Sequence, residues 1–514
     1  MDPSIKKDQH TNRDGKNVSL WQDGVKLYRA EALFIDNVYD VLVIGGGITG
    51  ITTALLLQQQ GKNVVLAEAK TIGFGTTGGT SAHLNTFFDA TYPEIDSDFG
   101  ADASKLLAQG GIEAMAFIEE MVKKYAIDCD HEYKDAYLFS QNEDESKQLD
   151  DILTSSNNAG IKVTQVDTNG VNVPFEKSIL FKNQGQFHPL KYISKLAEEF
   201  VNAGGVILEN TFINDIKSDD EIHIATSGDL SIKAFNMVYA THMPPGITLF
   251  NFNCAPYRSY VISVTLADDN YPDCLAYDMK EPYHYFRTHT VDGKKHLIVG
   301  GEDHKTGHDD PEKAFEELET YVRQHYKVTS VNHKWSSQYY VPADLLPFIG
   351  RLPMAANNVF AATGYNGNGM MFGTLAGKIL ADLIAGKQNP YAKLFSPSRI
   401  KPIAGFSEFV KENADVAYRF VTDRFSAEEI DSLKTLEKDS GAIVKYNDQK
   451  LAVYKDAEGG IHALSPVCTH AGCVVNFNAS EKTWDCPCHG GRFDIDGNVL
   501  TGPPMKELKK VNLT

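Results

Sequence analysis

The stretch from Tyr39 to Glu68 restricts the possible folds more than any other part of the chain. Asp40 to Ile44 reads as a strand buried on both faces, Gly45-Gly46-Gly47-Ile48-Thr49-Gly50 as a turn opening a helix through Gln60, and Asn63 to Ala67 as a second strand after the breaker Gly61. This is a βαβ unit. Gly45, Gly47 and Gly50 hold the G-x-G-x-x-G positions, where missing side chains permit a tight turn, close approach of a pyrophosphate and close helix packing. The helix N-terminus adds partial positive charge. Glu68 ends the second strand roughly 20 residues after the first glycine, suited to accept hydrogen bonds from ribose hydroxyls and to disfavour the 2′-phosphate of NADP. The unit predicts a dinucleotide site and leaves FAD and NAD both open.

Composition narrows the setting. The 514 residues carry a formal net charge of −19, with no Lys/Arg-rich run to offset it locally. Such a field repels phosphate backbones, so nucleic acid is excluded as a partner. No apolar run is long enough to predict a transmembrane segment, and the start of the chain lacks an apolar signal region, so a cytoplasmic protein is expected. Three of the seven cysteines are scattered, whereas Cys468, Cys473, Cys486 and Cys488 crowd the end of the chain, which implies a local task there.

Elsewhere the pattern is mixed. The arm to residue 37 is polar and predicts nothing chemical. From Ala101 to Leu180 helical patterns alternate with polar loops; Leu190 to Ala203 is helical, while Gly205 to Leu208 and Asn236 to Ala240 are strands. Period-two runs of Tyr, Val, Ile and Phe from Pro256 to Gly301 predict an antiparallel sheet with one face open to a ligand. A helix is expected from Gly369 to Ile384, ended by Gly386, then a Lys- and Glu-rich helical connector near 406–438, then short strands.

Three distant segments favour FAD. Gly75-Thr-Thr-Gly-Gly-Thr80-Ser81-Ala-His83, Val238-Tyr-Ala-Thr241, and Leu346-Pro-Phe-Ile-Gly-Arg351 followed by Phe360-Ala-Ala-Thr-Gly364-Tyr365-Asn-Gly367-Asn368-Gly369-Met370 together resemble the D-amino-acid oxidase, glycine oxidase and sarcosine oxidase superfamily over about residues 38–395. The resemblance implies a Rossmann-like α/β FAD-binding domain (38–110, 186–250 and 345–400) interleaved with an α+β substrate domain (111–185 and 251–344). It implies that Thr80 and Ser81 lie by the flavin and that Thr241, Gly364, Gly367, Asn368, Gly369 and Met370 belong to the cofactor site. The helix after Gly369 would then aim its positive end at the flavin pyrimidine ring. In related dimethylglycine and sarcosine dehydrogenases a histidine in a setting similar to His83 is attached covalently to the flavin; His83 either does this or only hydrogen-bonds beside the ring.

The cysteine cluster reads Cys468-Thr-His470-Ala-Gly-Cys473 and Cys486-Pro-Cys488-His489. Two thiolates on one iron and two imidazoles on the other suit this spacing, and a zinc site would use the same ligand types without a reason for the extra cysteine pair. The segment resembles a small all-β Rieske [2Fe–2S] domain of the kind found in cytochrome bc complexes, covering 427–514 after a linker at 401–426. The resemblance implies Cys468, His470, Cys486 and His489 as ligands and a Cys473–Cys488 disulfide, unusual for a cytoplasmic protein. Gly502-Pro503-Pro504 matches the loop that covers the cluster. Where high-potential members carry a serine and a tyrosine, this chain has Gly491 and Phe493, so two hydrogen-bond donors are missing and a lower potential is expected.

Joined in one chain, the two cofactors predict an FAD-dependent oxidoreductase that oxidises an amine or amino-acid-like donor and passes electrons through the cluster to an external protein or quinone-like acceptor. The alternatives are a flavin oxidase reacting directly with oxygen, with the Rieske domain as sensor or docking module, and a scaffold with a dead site. Candidate substrate contacts are His83, Tyr257, Arg258, His284, Tyr285, Arg287, Gln338 and Tyr365, with Arg258 or Arg287 available to pair with a carboxylate. An arginine or tyrosine on a strand is more commonly a packing or second-layer residue.

Overall fold

The computed structural model describes residues 15–31, 36–219, 221–399 and 433–513, together with the backbone of 428–429. The expected linker at 401–426, residue 427 and most of the helical connector lie outside the described residues.

Val38–Ile44 and Val64–Ala67 pair in parallel, and the helix Ile48–Gln59 crosses between them. Their apolar runs are nearly continuous because helices or loops cover both faces of a parallel sheet. Val38–Ile44 also pairs in parallel with Leu230–Tyr239, which carries Val359–Thr363 on its other side. The resulting eight-stranded sheet brings the C-terminal ends of three strands, at Ile44, Ala67 and Tyr239, to one edge, where ligands bind in open α/β sheets.

A second, nine-stranded sheet runs from the long strand Val328–Pro342 through Cys254–Leu266, Lys294–Lys305, Tyr285–Val291, Leu275–Asp278, Glu132–Ser140 and Lys177–Gln186 to His83–Leu84. The stretch expected as helices and polar loops from Ala101 to Leu180 thus supplies three strands as well, Glu132–Ser140, Val163–Val166 and the start of Lys177–Gln186. Glu132–Ser140 shows why it was missed. Only Ala136, Phe139 and Ser140 are fully buried, so its pattern of polar residues follows exposure of an outer face and lacks strict alternation.

The helix Gly369–Ile384 ends ahead of Gly386, whose φ of +71° only a glycine adopts without strain. Beyond it stands an all-β unit of two four-stranded sheets, one containing Ser440–Tyr446, Gln449–Lys455 and Ile461–Leu464, the other running from Asn476–Asn478 to Val499–Thr501. No helix among the described residues is long and apolar enough to cross a membrane.

The N-terminal arm is structural. Trp21 is fully buried, its indole N–H donating to the Thr80 carbonyl at 2.6 Å, and the Ser19 hydroxyl donates to the Gly78 carbonyl at 2.6 Å. A few residues earlier, Lys16 N–H donates to the Glu481 carbonyl at 2.9 Å and the Asn17 amide to the Ser480 carbonyl at 3.0 Å. One short segment therefore ties the short helix Thr76–Gly79 and Thr80 after it to the C-terminal unit.

Candidate functional site

At the first glycine turn, Gly45 adopts a φ of +111°, and a Cβ there would lie 2.4 Å from the Ala240 carbonyl oxygen. A Cβ on Gly50 would lie 1.9 Å from the Gly45 carbonyl oxygen, so the helix meets the turn at a distance only glycine allows. Glu68 accepts the N–H groups of Gly46 at 2.7 Å and Lys70 at 2.8 Å. Burial nevertheless pushes its carboxyl upward, those two bonds offsetting only part of the effect. The Thr77 hydroxyl accepts from Ile48 N–H at 3.1 Å and holds the short helix Thr76–Gly79 over the turn.

A cavity of about 920 Å³ extends from this turn, at the upper end of the roughly 300–1,000 Å³ usual for cofactor and small-molecule sites. Gly45, Gly47, Glu68, Thr80, Ser81, His83, Thr241, Gly367, Asn368, Gly369 and Met370 line it; Gly50 and Gly364 lie behind its wall. Among the candidate substrate contacts, Tyr285 and Tyr365 also face it and Gln338 borders it while its side chain bonds Thr306 and Gly490; Tyr257, Arg258, His284 and Arg287 do not line it.

The two arginines are occupied elsewhere. Arg287 donates to the Ser81 and Ala82 carbonyls at 2.8 and 2.9 Å and stacks over Trp21 at 5.1 Å, so it braces the loop leading to His83. Arg258 is buried on the opposite face of its strand and donates to the Ser336 hydroxyl at 2.7 Å. Its charge and that of Arg492 hold Asp485 of the C-terminal unit low despite the raising effect of burial. His284 is clamped between Asp278 at 2.8 Å and Glu302 at 3.1 Å, one layer behind the cavity.

Asp303 and Asp89, which the sequence reading missed, face the same cavity as His83, which it named. Asp303 receives the Tyr339 hydroxyl on Oδ2 at 2.7 Å while its Oδ1 is buried without a partner. Burial pushes its carboxyl up to about 7, with the Ser259 and Tyr339 hydroxyls opposing and the Asp89 charge adding to the rise. Asp89 accepts Gly367 N–H at 2.6 Å; burial raises it to about 6, against the bonds from Gly367 and Tyr283. His83 touches the Tyr277 hydroxyl through Nδ1, and its Nε2 is buried without a partner. Burial, reinforced by Arg287, holds the imidazole well below its usual pKa and therefore neutral.

The cluster loops mirror one another. Cys468 N–H donates to the Cys473 carbonyl at 2.8 Å and Gly472 N–H to the Cys468 carbonyl at 3.0 Å; Cys486 N–H donates to the Gly491 carbonyl at 2.8 Å and Gly490 N–H to the Cys486 carbonyl at 3.0 Å. Cys473 and Cys488 are joined as a disulfide that pins the loops together. The sulfurs of Cys473, Cys486 and Cys488 fall within 4.8 Å of one another, but the disulfide removes two of them as metal ligands. The thiols of Cys468 and Cys486 neighbour each other, an interaction that holds Cys468 down and pushes Cys486 up.

The rings of His470 and His489 meet edge to face with centres 4.9 Å apart, and their Nδ1 atoms are both buried without hydrogen-bond partners. His470 Nε2 lies 3.1 Å from the Gly246 carbonyl, which can only accept, so Nε2 carries the hydrogen and Nδ1 is left as a bare lone pair. Two orphaned imidazole nitrogens and two converging thiols fit a [2Fe–2S] cluster. The loop Gly502–Pro504 closes over them: a Cβ on Gly491 would meet Pro504 Cγ at 2.6 Å, so proline occupies the space a serine side chain would need. Phe493 is fully buried and brings no hydroxyl to the sulfurs.

The two sites share a wall. Val499, Leu500 and Thr501 from the last strand, with Gly502, Pro504 and Met505 from the covering loop and just beyond it, line the same cavity as the glycine turn. The strand Val328–Pro342 touches both: its Gln338 carbonyl accepts from the Thr76 hydroxyl at 3.2 Å, while the Gln338 amide donates to the Gly490 carbonyl at 2.9 Å and the Tyr340 hydroxyl to the His489 carbonyl at 3.1 Å. On the same strand, Ser336 donates to the buried Glu481 at 3.0 and 2.6 Å, and the Trp335 indole N–H donates to the Gly79 carbonyl at 2.8 Å.

Comparison with known proteins gives a consistent picture. Residues 40–383 match the family described as FAD dependent oxidoreductase, and 427–512 match the Rieske [2Fe-2S] domain. YhfW of Bacillus subtilis (strain 168), described as a Rieske 2Fe-2S iron-sulfur protein, is 32% identical over 96% of this chain and 97% of its own. Gamma-glutamylputrescine oxidoreductase of Escherichia coli (strain K12) is 26% identical over 68% of this chain and 84% of its own. Glycine oxidase from Geobacillus kaustophilus superposes with a TM-score of 0.59 at 19% identity, covering 70% of this chain and 99% of that one, which speaks to the fold alone.

Proposed function

Because this chain belongs to the FAD dependent oxidoreductase family and carries a C-terminal Rieske [2Fe-2S] domain, we propose that it dehydrogenates an amine and delivers the electrons singly to an external acceptor through that domain. When bound, FAD supplies a two-electron acceptor for the hydride leaving the donor's α-carbon, and the cluster a one-electron carrier.

The chain's own groups have distinct tasks in this reading. Gly45, Gly47 and Gly50 give the dinucleotide a close backbone approach, and Glu68 meets its ribose. The helix opening at Gly369 offers positive partial charge to the cavity. An amine arrives as an ammonium and must lose a proton before hydride can leave. Asp303, raised to about 7, is suited to take it. Counting that proton, the donor breaks one N–H and one C–H bond and gains a C=N bond, with two electrons and two protons removed in all. Cys468 and Cys486 would hold one iron, and the Nδ1 atoms of His470 and His489 the other.

The observation that carries this reading is the shared wall, where the covering loop of the cluster site forms part of the cavity that begins at the glycine turn. The relative named for γ-glutamylputrescine supports an amine donor. Anaerobic mixing of the FAD-loaded protein with a panel of amines and amino acids tests it. At least one amine should bleach the flavin absorbance stoichiometrically; a panel of amines that leaves the flavin oxidised contradicts the reading.

A further inference from the structure

Carboxylates cluster along the cavity: Asp89, Asp303, Glu94 and Glu281 all line it. Beside histidines, Lys280 is the single cationic side chain among the described residues lining it, and Lys280 sits 5.3 Å over the Tyr321 ring. The carboxylates feel one another: the charges of Glu281 and Glu94 both push Asp89 upward, and Asp89 does the same to Asp303. Such repulsion is costly unless a cation relieves it.

Separate features also call for a cation. Asp303 Oδ1 is buried without a partner. Asn85 is 4% exposed and lines the cavity; its amide nitrogen donates to the Tyr277 hydroxyl, while its Oδ1 has no partner and is left as an acceptor. Tyr283 and Tyr285, with ring centres 5.9 Å apart, add aromatic faces of the kind that attract ammonium groups. Neither arginine offered by the sequence for a substrate carboxylate reaches the cavity. A shallower hollow, which shares Gln148, Met279 and Glu281 with the cavity, continues outward past Glu143 and Asp144, themselves paired with Lys147 at 3.2 Å.

We propose that the donor is a linear diamine or polyamine carrying at least two positive charges, its reacting nitrogen held among Asp89, Asp303, Asn85 and the tyrosines and its distal ammonium at Glu94 and Glu281. This rests on the amine-oxidoreductase reading and goes beyond it by choosing among amines. The reacting nitrogen loses its proton to Asp303, its α-carbon gives up hydride with FAD as the acceptor, and the resulting iminium takes up water to give an aminoaldehyde and ammonium, or an aminoaldehyde and the remaining amine as its ammonium.

The test uses the FAD- and cluster-loaded protein without oxygen, with flavin bleaching as the readout. The probes are 1,4-diaminobutane, spermidine, butylamine, glycine and L-proline. The second-order bleaching constant for the diamine should exceed that for butylamine by at least about tenfold, equivalent to about 1.4 kcal/mol. It should fall several-fold when salt is raised from about 20 to about 300 mM, as the Debye length shrinks from roughly 20 to roughly 6 Å. Glu94→Gln combined with Glu281→Gln should bring the diamine-to-butylamine ratio to within about threefold of unity, the size expected for losing partly exposed charge pairs. Thermal melting of the oxidised protein gives a readout without turnover, and 1,4-diaminobutane should raise the midpoint more than butylamine does. Butylamine, glycine or L-proline bleaching the flavin as fast as the diamines would overturn the choice of substrate while leaving amine oxidation standing. A flavin that no amine bleaches would overturn both.

Discussion

Exchange of Cys486 for serine should leave a yellow protein that its donor still bleaches but that contains no Rieske cluster. Iron and acid-labile sulfide should fall to background and the spectrum of the reduced cluster should vanish, a loss greater than the roughly 10–100-fold that changes in a ligand's neighbours cause. The thiol is 1% exposed, faces Cys468, and sits in the loop held to its twin by the Cys473–Cys488 bridge. A hydroxyl there is a poorer ligand for iron, while the flavin body, built on separate sheets, keeps its shape. Retention of a full Rieske signal would mean that the cluster is held by other residues.

Replacement of Gly50 by valine should have the opposite outcome, stripping the flavin and sparing the cluster. Even the first added carbon would fall 1.9 Å from the Gly45 carbonyl oxygen, a backbone atom that cannot swing aside. Overpacking of this kind costs about 1–3 kcal/mol or more, and the distortion falls on the turn meant for the pyrophosphate. The ratio of FAD to chain should drop at least about tenfold. The iron content of the same preparation reports whether the rest of the chain has folded. A variant that purifies with both cofactors at full occupancy would refute the role given to this turn.

What the sequence revealed and what it hid differ for physical reasons. The glycine turn, the helix at Gly369 and the Cys/His loops were legible because each packs its chemistry into a short span, where spacing itself encodes geometry. Asp89 and Asp303 lie in separate elements and acquire meaning only when the fold brings them to one cavity. A single aspartate in a strand or loop carries no local signal. Arg287 shows the converse: it shares a strand face with Tyr285, as period two requires, yet sits two residues further along beneath the Ser81–Ala82 backbone, outside the cavity. Trp21 was hidden in a polar arm because its partner, the Thr80 carbonyl, is distant in the chain.

The alternation of Cys254–Leu266 explains the remaining reassignment. Ser259 faces the cavity, whereas Arg258, one residue earlier, points to the other side of the sheet, where the C-terminal unit packs. A charge that reads as a substrate contact in isolation is thus spent on joining two domains. The same strand pairing sets Gln338 opposite Arg258, on the strand that bonds both Thr76 and the Gly490 loop.

The account depends on communication between the two cofactor sites across that shared wall. Its most direct test is rapid freeze-quench of the fully loaded protein after anaerobic mixing with a donor, with flavin absorbance and the paramagnetic signal of the reduced cluster followed on one time base. The cluster signal should rise as the donor reduces the flavin and reach about one spin per chain while donor is in excess. A flavin that bleaches completely beside a cluster that stays oxidised, although dithionite reduces it, would contradict the account.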